Sequence, residues 1–266
     1  MSQRSSTTRR LPGNAPRSMR SLPDAIVLCG GAGSRLRPLT DEPKAMVSIG
    51  GRPFLEIILR QLRRWGCDRV ILAVGYRADA IQSYFGSEAF GLRLLYSPEL
   101  IPLGTGGALR NAVGLAQSST ILILNGDSYT DADLHGFHIR HLESEADMSL
   151  LVVPPDGRED CGTVSMGPSG SLMAFQEKEP LAGPKYTNAG IYLLSRALLE
   201  KIPPKREVSL EKELLPEWLR QSKNIRVTID RATCYDIGTP ERFWSAQTAL
   251  ADVEMGSYPN TAGGGH

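Results

Sequence analysis

The residues of this 266-residue chain that could do chemistry are glycine clusters, basic side chains beside them, and a few carboxylates at turns. From Ala25 to Val47 the sequence reads AIVLCGGAGSRLRPLTDEPKAMV. Gly30, Gly31 and Gly33 follow an apolar run, Arg35 comes next, and Lys44 stands nine residues further on behind Pro43. Glycines at the end of a buried strand let backbone N–H groups approach a phosphate closely. An arginine and a lysine beyond them supply the charge a polyphosphate needs. The loop lacks the last glycine of the dinucleotide fingerprint, and no G-x-x-x-x-G-K-[ST] run occurs in the chain. The loop by itself therefore points to phosphate without choosing a ligand.

A second glycine cluster runs from Leu103 to Leu109 (LGTGGAL), and carboxylates stand at Asp127, after Asn125-Gly126, and at Asp236, before Ile237-Gly238-Thr239. Each carboxylate has a plainer use. Asn-Gly-Asp is good turn chemistry, and Asp236 could cap the helix that follows. Cys29, Cys67, Cys161 and Cys234 are scattered with no C-x-x-C spacing, which reads as reduced, mostly buried thiols without zinc. His135, His138 and His141 recur at a spacing that shares part of a helical face. With no acidic or cysteine partner in a metal pattern, the expectation there is a solvated face.

The elements that must position these residues alternate. Ala25 to Cys29 reads as a buried strand, and Val47 to Ile49 as a short one before the Gly50-Gly51 turn. A helix follows from Pro53, with Phe54, Ile57, Ile58, Leu62 and Trp65 on one face and Gly66 at its end. Strands are expected at 69–74, 92–96, 120–124 and 148–153, and helices at 78–85 and from the second glycine loop to Ala116. Such alternation indicates a mainly parallel sheet, whose ligands bind beyond the carboxyl ends of its strands. Both glycine loops and Asp127 fall at those ends. Then the rhythm changes: 161–166 and 171–178 form a hairpin about Gly167-Pro168-Ser169-Gly170. A strand is expected at 187–193 and another at 225–229. Between them lies a helix over 209–221, with Ser209 as N-cap and a kink at Pro216. A final helix runs from Pro240 to about Asp252.

Hydrophobic content of 41% and 22% charged residues suit one α/β catalytic domain, expected at 23–253. Residues 1–20 carry five Arg and no acidic residue, so the net charge of +1 leaves about −4 for the remainder. Residues 1–22 read as a disordered Arg-rich leader and 254–266 as a flexible tail. A transit peptide would want an amphipathic helix that is not evident. A mildly acidic folded part argues against a general nucleic-acid binder. No stretch approaches the ~20 apolar residues of a membrane span, so no membrane partner is expected and the location reads as cytoplasmic.

Seven segments then matter together: GGAGSRL (30–36), Pro43-Lys44, LGTGGA (103–108), NGD (125–127), Glu177-Lys178, NAGIY (188–192) and DIGTPE (236–241). In this order, over roughly residues 24–250, the chain resembles the sugar-1-phosphate nucleotidylyltransferases. The resemblance implies a Rossmann-like mixed, mainly parallel sheet flanked by helices, with a small inserted sugar-binding β subdomain. It implies Mg²⁺-dependent transfer of a nucleoside monophosphate from an NTP to a sugar 1-phosphate, with release of pyrophosphate. In that likeness Gly30, Gly31 and Gly33 cradle the triphosphate, with Leu28, Gly104, Thr105 and Asn125 also on the nucleotide. Arg35 binds the departing phosphates and Lys44 the α-phosphate. Asp127 and Asp236 hold Mg²⁺, two hard carboxylates for a hard ion. Lys178 binds the sugar phosphate, and Glu177, Asn188 and the Gly162 backbone hold sugar hydroxyls. Cys161 departs from a frequent pattern, in which Tyr precedes that glycine. The nucleophile of such a reaction is the sugar's own ionised phosphate, so no Ser–His or Cys–His arrangement is required, and none is seen. What remains for the protein is positioning and charge neutralisation. A nucleotide-sensing pseudoenzyme is the reading from another class, and the presence of Arg35, Lys44, Asp127 and Asp236 together argues against it.

Glu99 stands five residues before Gly104, where uridylyl- and thymidylyltransferases of this kind commonly carry a Gln that reads the pyrimidine. A carboxylate only accepts hydrogen bonds. Guanine offers N1–H and its 2-amino group side by side, whereas uracil and thymine turn carbonyls toward the same place. The expectation is GTP as donor. The layout, with SLEKELLP (209–216) and YDIGTPE (235–241), looks most like the D-glycero-α-D-manno-heptose 1-phosphate guanylyltransferases, with the mannose 1-phosphate enzymes next. Whether the chain forms a homo-oligomer stays open.

Overall fold

Apolar runs rich in β-branched residues become the strands, and amphipathic stretches between them become the helices, in a computed structural model that describes residues 21–31, 36, 40–155, 161–177 and 185–251. Along the chain come β1 (Ala25–Leu28), the small hairpin β2 (Ser48–Ile49) and β3 (Arg52–Pro53), α1 (Phe54–Arg64), β4 (Arg69–Val74) and α2 (Ala78–Phe85). Next are β5 (Glu88–Ala89), β6 (Leu92–Pro98), α3 (Gly104–Ala112), β7 (Thr120–Asn125), β8 (Ser128–Thr130), α4 (Leu134–Glu143) and β9 (Met148–Val153). The remainder is β10 (Gly162–Met166), β11 (Leu172–Glu177), β12 (Tyr186–Ser195), α5 (Arg196–Glu200), α6 (Leu215–Arg220), β13 (Ile225–Ile229), β14 (Cys234–Asp236) and α7 (Pro240–Leu250).

The sheet is mixed, with a parallel centre. Its path runs β11-β10-β12-β7-β1-β4-β6-β5, and β9 pairs with β12 and β13. β1 lies parallel to both β4 and β7, while β12 runs antiparallel to β7. Alternate residues of β1 enter opposite cores, Ala25 and Val27 on one face and Ile26 on the other. That period of two, on strands buried from both sides, is why the central runs are apolar throughout. The expected hairpin forms, as β10 and β11. It continues the main sheet through pairs of β10 with the start of β12, Thr163 with Thr187 and Val164 with Tyr186. The hairpin is therefore an extension of one hydrogen-bonded sheet.

Several local details differ from expectation for identifiable reasons. α3 stops at Ala112, and the chain reaches Ala116 through a tighter 3-10 turn at Val113–Leu115. Ser209 caps as expected, its hydroxyl accepting from Lys212 N at 3.1 Å. The turn it starts, Leu210–Leu214, is π-helical, with Leu214 N reaching back to Ser209 O at 3.1 Å. Pro216 has no N–H to give the preceding turn, so the bonding there slips by one residue before α6 begins. The predicted kink takes that form.

The histidine cluster is a correction. His138 and His141 are buried, at 7% and 4% exposure, instead of solvated. α4 turns that face inward against β9, where His141 Nδ1 lies 2.8 Å from Ser149 Oγ. His135 packs edge-on to Trp65. Burial holds both buried imidazoles below their ordinary range, His141 down to about 4. Cys29 and Cys67 are buried and Cys161 and Cys234 partly so. Among the described residues no helix is long and apolar enough to cross a membrane.

His141 gives the fold a pH signature. It takes a proton near 6.5 when unfolded but only near about 4 in place, so the unfolded chain binds more protons between those values. Stability should therefore fall as pH drops through that window. Urea unfolding at a series of pH values should show a shallower acid slope for His141→Asn than for the parent protein.

Candidate active site

The carboxyl ends of β1, β4, β6 and β7 are stitched together by backbone. Cys29 N donates to Ala73 O at 2.8 Å, Gly126 N to Leu28 O at 2.9 Å, and Glu99 N to Val74 O at 2.8 Å. Side chains would not fit at these crossings. A Cβ on Gly126 would lie 2.6 Å from Leu28 O, one on Gly75 2.8 Å from Gly30 O, and one on Gly30 2.8 Å from Glu99 Oε1. Gly31, next in line, is exposed with open space where a Cβ would stand. So Gly30 serves close packing, and Gly31 faces the space where a ligand could lie. Gly75 was missed in the sequence; its signal was a glycine directly after the strand 69–74. Gly33, Arg35 and Lys178 lie outside the described residues.

Lys44 and Asp127 come together across 83 residues of sequence. A 3-10 turn at Lys44–Met46, entered through Pro43, presents Lys44, whose Nζ is 2.7 Å from Asp127 Oδ2. Lys44 is largely covered and the Asp127 carboxylate is 41% exposed, so the pair faces solvent from the carboxylate side. β8 and β14 then bring Asp236 alongside. Their ladder sets Asp236 opposite Ser128, and Ile237 N donates to Asp127 O at 3.0 Å. Asp236 Oδ1 accepts from Gly238 N at 2.8 Å and from Arg242 at 3.2 Å. The cap of α7 is Thr239, whose hydroxyl accepts from Arg242 N, so Asp236 is not needed for that job. Each carboxylate thus has a cationic neighbour; Asp127 lies in the turn just before β8, and Asp236 ends β14, the strand paired with β8.

These two groups fit a hard divalent ion. Both offer carboxylate oxygen, and among the described residues no cluster of three His, Cys, Asp or Glu surrounds them. Magnesium sites are commonly of this sparse kind, with one or two carboxylates and the rest of the shell from water and substrate phosphate.

Gly162, Glu177 and Asn188, expected on the sugar, also lie near one another. Gly162 pairs with Glu177 in the hairpin ladder. A Cβ on Gly162 would meet Phe175 at 2.7 Å and the Asn188 side chain at 3.3 Å. Asn188 opens a bulge in β12, whose register against β9 shifts between Asn188 and Ile191. Gly190 in that bulge has φ +70°, and a Cβ there would lie 2.6 Å from Asn125 Nδ2. The bulge thereby sets Gly190 against Asn125 at the end of β7. Asn188 Oδ1 accepts from Gly190 N, and its Nδ2 donates to the Tyr192 hydroxyl at 2.7 Å.

The second glycine loop is closed by the chain itself. Gly106 N and Gly107 N both donate to Val208 O, at 2.9 and 3.3 Å. Gly104 has φ +67°, and a Cβ there would lie 2.6 Å from the same oxygen. The Thr105 hydroxyl, which the resemblance assigns to the nucleotide, here donates to Glu211 at 2.7 Å and accepts from Leu210 N at 2.8 Å. Tyr192 and Glu211 are further residues the sequence reading passed over. A cavity of about 360 Å³ lined by Ile202, Arg206, Val208 and Trp218 lies behind this loop, and it includes none of the residues expected at the site.

Glu99 is half-buried above Gly30, one oxygen accepting from Leu103 N at 3.1 Å. Burial raises its pKa, and the Leu103 N–H works against that shift. Its other oxygen is the one nearest Gly30. The arrangement as a whole offers glycine backbone for phosphates, a lysine–aspartate pair, a second aspartate, and an acceptor-only group at one edge. It suits the joining of two phosphate-bearing molecules.

Comparison with known proteins shows the family. Residues 24–253 match the family described as nucleotidyl transferase. The mannose-1-phosphate guanylyltransferase of Mycobacterium tuberculosis is 36% identical over 91% of this chain and 68% of that protein. The D-glycero-α-D-manno-heptose 1-phosphate guanylyltransferase of Aneurinibacillus thermoaerophilus is 36% identical over 85% of this chain and 98% of its own length. The crystal structure of HddC from Yersinia pseudotuberculosis complexed with GMP-PN superposes with a TM-score of 0.76 at 30% identity, covering 86% of this chain and 100% of that one.

An exposed glycine and a packed one should behave differently. Gly31→Ala should change unfolding free energy by no more than about 0.5 kcal/mol. Gly126→Ala should cost roughly 1–3 kcal/mol by overpacking against the Leu28 backbone. Paired denaturant titrations check this.

Proposed function

The chain belongs to the nucleotidyl transferase family, and on that premise we propose that it transfers GMP from GTP to a sugar 1-phosphate, releasing pyrophosphate. The observation that carries the choice of GTP is the Glu99 carboxylate, set above the first glycine of the phosphate loop with one oxygen held by Leu103 N. It can take two adjacent donors from guanine and has nothing to give a pyrimidine carbonyl. The guanylyl names of both relatives and the GMP-PN bound to the Yersinia protein support the same choice.

In this reading a phosphate oxygen of the sugar 1-phosphate attacks the α-phosphorus of GTP. The new O–P bond forms as the bond to the β-phosphate breaks, and its electron pair leaves on pyrophosphate. No proton has to move, because the nucleophile is already ionised. The chain's task is to hold two anions in line and offset their charge. We assign the triphosphate to the Gly30–Gly33 loop with Arg35, and its base edge to Glu99. Lys44 takes the α-phosphate side and Lys178 the acceptor phosphate. Gly162, Glu177 and Asn188 hold the sugar hydroxyls, and Asn125 lies between the two halves. The Lys44–Asp127 pair keeps an ammonium and a carboxylate side by side, one for phosphate and one for metal. Asp127 and Asp236 would hold the divalent ion, taken here as Mg²⁺, which when bound supplies positive charge to the triphosphate.

D-glycero-α-D-manno-heptose 1-phosphate is the acceptor we favour, on the likeness to the Aneurinibacillus protein. Mannose 1-phosphate is the second reading, favoured by the equal identity to the mycobacterial one.

Pyrophosphate release should be measured over the four NTPs crossed with sugar 1-phosphates, including mannose 1-phosphate and both manno-heptose anomers. GTP with the α-heptose phosphate should give the highest kcat/KM, and a clear preference for UTP or dTTP would overturn the Glu99 argument. Asp127→Ala should reduce turnover by roughly 10²–10³-fold or more while the thermal midpoint stays near that of the parent. Chelation should abolish activity and added Mg²⁺ restore it.

A further inference from the structure

Glu211 lies at the centre of a hydrogen-bonded chain that touches both halves of the site. Its Oε1 accepts from the Tyr192 hydroxyl at 3.1 Å, and its Oε2 from the Thr105 hydroxyl at 2.7 Å and the Ser209 hydroxyl at 3.4 Å. A carboxylate has no hydrogen to give, so every partner must point its own hydrogen inward. Tyr192 has one such hydrogen. Once it is given to Glu211, the phenol oxygen can only accept toward Asn188, whose Nδ2 donates to it at 2.7 Å. This turns the Asn188 amide in one direction, with its oxygen on Gly190 N. On the other side, the single Thr105 hydrogen also goes to Glu211, which leaves a lone pair for Leu210 N. Tyr192 is fully buried, so water does not compete for its hydroxyl.

The π-helical turn at Leu210–Leu214 is the device that presents Glu211 here. Such turns are rare and are frequently found at functional sites.

We propose that Glu211 is a positioning residue that fixes, through Tyr192, which way the Asn188 amide faces the acceptor sugar, and at the same time holds Thr105 and the second glycine loop on the nucleotide side. Recognition of donor and acceptor is thereby coupled through one carboxylate. This rests on the transfer reaction proposed above for the roles of Asn188 and of the loop, but the hydrogen-bond chain itself does not.

Three variants separate the arms. Tyr192→Phe keeps the ring and removes the hydroxyl that joins Glu211 to Asn188, and it should raise the acceptor KM about 10-fold, the worth of one lost hydrogen bond. Its affinity for a non-hydrolysable GTP analogue, measured by calorimetry, should stay within about twofold. Thr105→Val should do the reverse, weakening the analogue by about 10-fold and sparing the acceptor KM. Glu211→Gln, equal in size but able to donate, should affect both. In the Tyr192→Phe background it should add nothing further to the acceptor KM. A second readout needs no turnover: the Asn188 side-chain NH₂ signal in a ¹⁵N correlation spectrum, identified by its loss in Asn188→Asp, should shift in Tyr192→Phe and in Glu211→Gln.

If the parent protein turns over and neither the acceptor KM nor the Asn188 signal responds in Tyr192→Phe, the inference is wrong. If the parent shows no turnover with any pair while the Asn188 signal still responds, the positioning chain stands and the transfer reading falls. Should Glu211→Gln fail to fold, the opposite effects of Tyr192→Phe and Thr105→Val still decide the matter.

Discussion

Backbone touching backbone at the carboxyl end of the sheet is the constraint on which the rest of this site depends. Gly30, Gly75 and Gly126 sit where a Cβ would come within 2.8 Å of a neighbouring oxygen. Because no side chain intervenes, the segments after β1, β4 and β7 can lie against one another and bond directly. That closeness sets Glu99 above Gly30 and turns Asp127 toward Lys44. It also lets Gly126 cross over Leu28. One methyl group at these crossings would push apart the strand ends that carry most of the proposed nucleotide contacts.

The charges follow a similar economy. Lys44 and Asp127 form an ion pair half open to solvent, and Asp236 stands beside Arg242. Pairs of this kind contribute little to stability, since screening and side-chain entropy offset most of the attraction. They fit better as a way to keep both signs present where phosphates and a cation must meet. Neutralised in pairs, the site avoids strong self-repulsion, while each member has a plausible exchange partner in a bound substrate or ion.

Much of the architecture was legible in the sequence because it rests on local chemistry. The apolar run at 69–74 and the Gly167-Pro168-Ser169-Gly170 turn specify a strand and a hairpin wherever they occur, and the structure has both. Ser209 reads as a cap for the same reason. Most of what was missed depends on how elements pack against one another. The face of α4 bearing His138 and His141 looks polar in sequence, and only the packing against β9 makes it interior. Thr105 sits in what reads as a phosphate loop, yet its hydroxyl meets a carboxylate 106 residues away. Tyr192 and Glu211 lie within the NAGIY and SLEKELLP segments, but neither segment by itself tells that the two side chains meet. The closing of the second glycine loop by Val208 likewise requires knowing where the segment before Ser209 returns.

The thiols beneath and beside the site have a practical consequence. Cys29 Sγ lies under Gly126, where burial holds it strongly as the neutral thiol, while Cys161 borders Gly162 and is only partly covered. Alkylating reagents and oxidants act on exposed thiolates. Cys29 is therefore shielded until the strand ends separate, whereas Cys161 and Cys234 are already partly within reach of such reagents. Labelling of Cys29 thus reports when the carboxyl ends of β1 and β7 part.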